Sequence, residues 1–74
     1  MSTIEMKKRA LKHLVFYINE LENATIKPEI TMSYSSAIAI LFLIYNGLKL
    51  ISDDEYNELN EKIKKLHTDA WERM

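Results

Sequence analysis

Residues 45–59 read YNGLKLISDDEYNEL and combine the only glycine of the chain, Gly47, with its densest acidic cluster. Gly47 follows a long apolar run, and glycine most easily adopts the left-handed conformation that ends many helices. Ser52 is followed three residues later by Glu55, the spacing of a capping box, and the two aspartates between them favour the positive end of a helix dipole. This stretch therefore predicts that one helix ends just before Gly47 and that another begins at Ser52.

The apolar spacing on both sides predicts three helices in all. Apolar residues recur at steps of seven, three, four and three residues from Ile4 to Leu21, which is the helical period. Pro28 lacks an N–H and disfavours a helical conformation at the residue before it, so residues 24–32 are interpreted as a connector. The predicted fold class is all-α, a three-helix up-down-up bundle in one small domain over residues 1–74, with helices at about 3–23, 33–46 and 52–72.

The order of charges predicts that the first and third helices run parallel. The first helix is basic early and acidic late, whereas the third is acidic early and basic in its middle. In an up-down-up bundle unlike charges would then face each other at both levels. Exposed ion pairs contribute little stability, so these pairs would mainly select the register.

Length and composition favour a small protein that associates with itself. The chain has 74 residues, 47% hydrophobic and 28% charged, with no cysteine and a net charge of −1. Domains of this size obtain only about 3 to 5 kcal/mol from a single core, so we expect help from a second copy. The lack of cysteine excludes disulfides and fits a reducing cytoplasm. The longest apolar run, residues 37–45, is shorter than the roughly 20 residues of a membrane span, so we expect a soluble, cytoplasmic protein.

The central helix is apolar nearly all round, although two neighbouring helices can cover only part of it. The residues opposite its predicted core face are Ser35, Ala39, Phe42, Leu43 and Asn46. We interpret this second face as the seam of a homodimer or of a complex with another protein, in which small residues permit close approach and Asn46 sets the register. The alternative is a compact bundle whose connectors wrap over the face.

A second candidate surface lies on the first helix. Phe16 falls outside the apolar stripe, on the face that carries Arg9, Lys12 and His13. A single exposed aromatic residue is common and often has no function. The sharper hypothesis is a contact patch for an acidic protein, with Phe16 as its anchor and the basic residues as its rim.

The same basic residues could instead contact nucleic acid, because lysine and arginine on one helix face match phosphates. The chain as a whole lacks the basic excess that usually drives such binding. Pairing with the acidic start of the third helix would also use these residues. Nucleic acid is therefore a disfavoured partner of this face.

Little in the sequence suggests catalysis or metal binding. His13 and His67 are the only histidines, and in parallel helices they would be offset by about 7 Å along the axis, a poor match for one metal ion. The acidic pair at 53 and 54 is explained by helix capping, and the lone Gly47 cannot build a phosphate loop. We predict no enzymatic activity, no cofactor, no metal and no small-molecule substrate.

Residues 47–66, GLKLISDDEYNELNEKIKKL, resemble the SHOCT-like short helical-hairpin domains. Their pattern is a helix, a turn with glycine, an apolar residue, Ile and Thr or Ser, then acidic residues, an aromatic and a lysine-rich helix. The matching positions are Leu50, Ile51, Ser52, Asp53, Asp54, Glu55 and Tyr56. Lys49 stands where that pattern usually has glycine. The resemblance covers the last third of the chain and implies an oligomerising or protein-binding module, frequent in bacterial and mobile-element proteins, with no activity of its own.

These observations together predict a small non-enzymatic protein-binding module, a regulator or inhibitor encoded by a bacterium, a phage or a mobile element. The alternative is a small DNA-associated regulator that uses the basic face of the first helix.

Overall fold

A computed structural model describes residues 2–74 and places three long helices in them. Helix α1 spans Thr3–Glu22, α2 spans Lys27–Phe42 and α3 spans Asp53–Glu72, while α2 continues directly into a π-helical turn, Leu43–Gly47. Each helix packs against the other two. The predicted all-α three-helix bundle is therefore confirmed.

Two contacts, one near the starts of α1 and α3 and one just beyond their ends, show that these helices run parallel. Near their starts, Lys7 Nζ lies 3.2 Å from Glu55 Oε2. Near their ends, Arg73 Nη2 donates a hydrogen bond of 3.1 Å to the carbonyl oxygen of Ala24. Within residues 2–74 the Lys7–Glu55 contact is the one ion pair. The predicted matching of charges between α1 and α3 is therefore present near their starts and not near their ends.

The starts of α1 and α3 follow the local capping signals. Ser2 accepts a hydrogen bond from the Glu5 N–H at 3.2 Å. At α3 the capping box is complete: the Glu55 N–H donates to Ser52 Oγ at 3.1 Å, and the Ser52 N–H donates to Glu55 Oε1 at 3.0 Å. Because these bonds satisfy N–H groups that have no partner inside the helix, they determine where each helix begins.

The predicted start of the second helix at residue 33 is wrong, because α2 begins at Lys27. Pro28 lies in its first turn, where the N–H that proline lacks would have no helical partner. Glu29 accepts hydrogen bonds from the Thr25 N–H and hydroxyl, each at 3.2 Å, and these bonds close the short turn before the helix. Most of the predicted connector over residues 24–32 is therefore helix.

The prediction that Gly47 adopts the left-handed conformation at the end of the second helix is also wrong. Gly47 does not have a positive φ, and the residue that does is Lys49, with φ 53°. The chain continues helically through Gly47, and the Leu48 N–H donates to the carbonyl of Leu43, five residues back, at 2.8 Å. A Cβ atom at Gly47 would lie 2.9 Å from Leu43 Cδ1, so a side chain at this position would require Leu43 to move.

The core is formed by residues from all three helices and from both connectors. Its buried apolar members are Leu14, Ile18, Leu21, Ala24, Ile30, Ala37, Leu41, Ile44, Ile51, Ile63 and Ala70. Ala24 and Ile51 anchor the two connectors in this core. Ile30 is completely buried, and its place in the core explains why α2 begins earlier than residue 33.

Candidate protein-binding surfaces

The outward side of α2 carries an exposed apolar surface that the sequence predicts. Its five predicted residues are all exposed: Ser35, Ala39, Phe42, Leu43 and Asn46. Phe42 and Leu43 are each 54% exposed although they are neighbours on one helix. The connectors do not wrap over this side. The alternative prediction, a compact bundle in which the connectors cover this face, is therefore not what the structure shows.

Met32 extends this surface by one further turn, with 70% of its side chain exposed. The positions 32, 35, 39, 42 and 46 follow one another in alternating steps of three and four residues, the spacing of a coiled-coil seam. Met32 was missed from the sequence because it fell in the predicted connector. We call the side formed by Met32, Ser35, Ala39, Phe42, Leu43 and Asn46 the α2 outer face.

Helix α2 with its π-helical turn, Lys27–Gly47, is the one helix in the described chain that is long and apolar enough to cross a bilayer. Length and composition are weak evidence for a span, because the core helix of a soluble bundle passes the same test. Only 28% of its most apolar window is buried, however. Much of this apolar helix therefore lies outside the core of a single copy.

The second predicted surface lies on α1. Its four residues, Arg9, Lys12, His13 and Phe16, are all exposed and lie at steps of three and one along one helix face. Phe16 is 56% exposed, and its ring packs edge-on against Tyr17 with the centroids 5.1 Å apart. We call these four residues the α1 patch. It belongs to a different helix from the α2 outer face, so either surface can be altered by itself.

An open groove of about 320 Å³ between α1 and α3 was not anticipated from the sequence. Its lining residues are Leu11, Val15, Glu55, Glu58 and Leu59. Val15 lies between the apolar positions of the α1 stripe and the exposed Phe16, and it is 50% exposed in this groove. The sequence feature that could have predicted this exposure is position, because Val15 lies at the edge of the apolar stripe, between Leu14 inside it and Phe16 outside it.

Glu55, on the wall of this groove, is already engaged. The backbone N–H of Ser52 and then the Lys7 ammonium hold the pKa of the Glu55 carboxyl below its usual value. Because both contacts favour the ionised form, Glu55 acts as a capping and pairing residue. It is thus poorly suited to the protonated state that a general acid would need.

His67 belongs to an aromatic cluster at the far end of the bundle. Its ring stacks on Tyr34 with the centroids 3.8 Å apart, and Trp71 Nε1 donates to His67 Nε2 at 2.9 Å. The hydrogen bond occupies the Nε2 lone pair that a metal ion would need. His13 lies in the α1 patch, and among residues 2–74 no group of three or more His, Asp and Glu side chains is arranged to hold a metal ion.

No protein-family model matches the chain, and no match was found among curated proteins or solved structures. The resemblance of residues 47–66 to SHOCT-like hairpins consequently stays a prediction. The functional interpretation depends on the surfaces themselves.

Proposed function

We propose that this chain is a small non-enzymatic protein-binding module that acts as a homodimer through the α2 outer face. The observation that carries the proposal is the exposure of Phe42 and Leu43 side by side on the central helix, in line with Met32. Contiguous exposed apolar surface on a small protein marks interaction sites. The small side chains of Ser35 and Ala39 between the large ones permit a second helix to approach closely.

Energetics also favour a partner for this face. Removing the exposed half of a large apolar side chain from water stabilises a complex by on the order of 1 kcal/mol. In a homodimer Phe42, Leu43 and Met32 contribute twice, because each copy presents all three. Asn46, a polar residue at one end of the face, would select one register at a small cost in stability.

Dimerisation leaves the α1 patch free in both copies, and we assign it the role of binding an acidic protein. Phe16 supplies an exposed aromatic anchor, and Arg9 and Lys12 supply a positive rim. A dimer presents two such patches, so it can hold a two-site partner more tightly than one copy can. A protein that acts only by occupying its partner fits a regulator or inhibitor in the cytoplasm of a bacterium, or one encoded by a phage or mobile element.

Sedimentation equilibrium of the purified chain tests the dimer. We expect a dimer at micromolar concentration for the natural sequence and a monomer for Phe42→Glu, since a carboxylate buried in an apolar seam lacks a partner. Phe16→Glu is the matched control, because Phe16 is equally exposed, at 56%, but lies on α1; this variant should remain dimeric. A natural chain that stays monomeric at these concentrations overturns the proposal.

Two experiments distinguish this proposal from a membrane role for α2. In cell fractionation a cytoplasmic dimer stays in the soluble fraction, and in a flotation assay the purified protein does not rise with lipid vesicles. Flotation that is lost in Phe42→Glu would mean that lipid, rather than a second copy, covers the α2 outer face.

A small DNA-associated regulator is the second candidate. The observation that favours it is that Lys8, Arg9 and Lys12 form no ion pair with any residue in the described range 2–74, which leaves their charges open to phosphates. Duplex binding that weakens steeply with salt would support this role. Neutralising the three residues should then weaken duplex binding and reduce the slope of log affinity against log salt by about 0.9 for each phosphate contact that is lost.

A further inference from the structure

We infer that the two copies pair antiparallel along α2, about a twofold axis that passes Ala39. This arrangement rests on the proposed dimer and specifies how the second copy lies on the first. It follows from the order of large and small side chains along the α2 outer face, together with the charges at its two ends.

The sizes of the side chains match when the axis passes Ala39. In a twofold pair, residues at equal distances before and after the axis face each other across the interface. Phe42 and Leu43 then lie at the level of Ser35 and the half-buried Ser36 of the second copy. Ala39 faces Ala39, which brings the helices close at the centre, and Met32 faces Asn46 at each end. Every large side chain on the face is thus placed against a smaller one.

A parallel pair gives the opposite result. Phe42 would meet Phe42 and Met32 would meet Met32, while Ser35 and Ala39 would face their own copies between them. Two straight helices cannot be far apart at two levels and close together at the level between. Either the large pairs would be overpacked or the small ones would leave voids, and both are unfavourable in a protein interior.

The charges near the ends of the helix favour the same direction. Glu29 lies in the first turn of α2, Lys49 lies just beyond its end, and both are exposed. Each is ten residues from Ala39 in the sequence. Lys27 is also exposed in that first turn, but it lies further round the helix from Ala39, at about 120° against about 80° for Glu29. An antiparallel pair brings Glu29 toward the partner's Lys49 at both ends, whereas a parallel pair brings like charges together. The antiparallel direction also sets the helix dipoles in opposite directions.

Engineered cysteines can determine the direction, because the natural chain contains none. Three full-length single variants are needed: Ala39→Cys, Met32→Cys and Asn46→Cys. Each is refolded alone, and the second and third are also refolded together as an equal mixture, before mild oxidation and non-reducing electrophoresis. Sedimentation of the reduced variants is the accompanying measurement that shows whether each still dimerises.

We expect Ala39→Cys to cross-link alone, since two residues at the axis come within disulfide range. Met32→Cys and Asn46→Cys should not cross-link alone, because their copies are about 21 Å apart along antiparallel axes. In the mixture, about half of the dimers contain one chain of each kind and should cross-link.

The outcomes distinguish this arrangement from the dimer itself. Cross-linking of Asn46→Cys alone and of Met32→Cys alone, with no gain in the mixture, would establish a parallel dimer and overturn the antiparallel arrangement only. A sedimenting dimer in which Ala39→Cys does not cross-link would also overturn it, by placing the seam elsewhere. A natural chain that sediments as a monomer would overturn the proposed function together with this arrangement.

Discussion

The Tyr45 hydroxyl donates a hydrogen bond of 2.6 Å to Asp53 Oδ1 and so joins the end of the second helix to the first turn of the third. The Tyr45 ring also stacks on Tyr56, with the centroids 4.2 Å apart. The hydrogen bond to Asp53 raises the pKa of Tyr45, since the bond requires the hydroxyl proton. This pair holds the turn that separates Gly47 from Ser52.

Tyr45→Phe should destabilise the protein by removing this hydrogen bond while keeping the stacked ring. Asp53 would lose its charge-assisted partner, although it remains close to water. Urea denaturation should show a lower midpoint with an unchanged slope. Tyr17→Phe is the matched control, and the prediction fails if both variants lower the midpoint equally.

Lys49→Gly should stabilise the protein, because Lys49 is held at a positive φ of 53° although it is not a glycine. A side chain in the left-handed region costs roughly 1 kcal/mol, and glycine removes that cost while adding entropy to the unfolded chain. We expect a net gain of up to about 1 kcal/mol in urea denaturation. Lys49→Ala removes the charge but keeps the Cβ atom, so it should give no comparable gain. Equal effects of the two substitutions would assign any change to the lysine charge instead.

The turn between α2 and α3 shows which parts of a fold can be predicted from local sequence. The capping box at Ser52 was predictable because its bonds join residues three positions apart. The left-handed residue was not, because no local signal marks a lysine for that conformation, and Gly47 was the obvious choice. Gly47 is instead helical and lies against Leu43.

The start of α2 illustrates a second limit. Pro28 is compatible both with a connector and with a first helical turn, so its presence alone does not decide between them. The burial of Ile30 in the core decides it, and that burial depends on packing between helices. The exposed α2 outer face, in contrast, was predictable from periodicity over residues 35–46, and only Met32 was lost with the misplaced start.

Ile30→Ala should strongly destabilise the bundle, because Ile30 is completely buried in the first part of α2. Removing a buried isoleucine side chain to alanine typically costs about 2 to 5 kcal/mol. Ile26→Ala is the matched control, since Ile26 precedes α2 and is 53% exposed. Urea denaturation should separate the two variants clearly. Similar small losses for both would mean that residues 24–32 are a loosely packed connector.

Glu55→Gln should reduce stability at neutral pH and should reduce it less in acid. The pKa of Glu55 is held below its usual 4.5 in the folded protein, so folding favours the ionised carboxylate. Its contribution is fully present above the unfolded pKa and is lost as the pH falls through the lowered pKa. Urea midpoints of the natural chain and of Glu55→Gln should therefore converge as the pH falls below 4.5 and through the lowered pKa of Glu55.

Glu58→Gln serves as the control for this pH dependence. Glu58 lies on the same groove, but the structure shows it neither in the capping box nor paired with Lys7. Its substitution should change the midpoint little at either pH. If Glu55→Gln and Glu58→Gln show the same pH dependence, the loss reflects the net charge of α3 rather than the contacts of Glu55.

Phe16→Ser tests the α1 patch as a binding surface for an acidic protein. Phe16 is exposed and contributes little to the core, so the substitution should change the free energy of unfolding by no more than about 0.5 kcal/mol. An aromatic anchor at the centre of an interface contributes about 2 kcal/mol or more, which corresponds to roughly a thirtyfold loss of affinity. Affinity capture from the source cell should therefore retain an acidic protein with the natural chain and lose it with Phe16→Ser.

Val15→Ser is the matched control, because Val15 is the adjacent residue, is half exposed and faces the α1–α3 groove instead. Equal retention by both variants at equal stability would remove the α1 patch from the proposed function and leave the α2 outer face as the surface through which the protein binds.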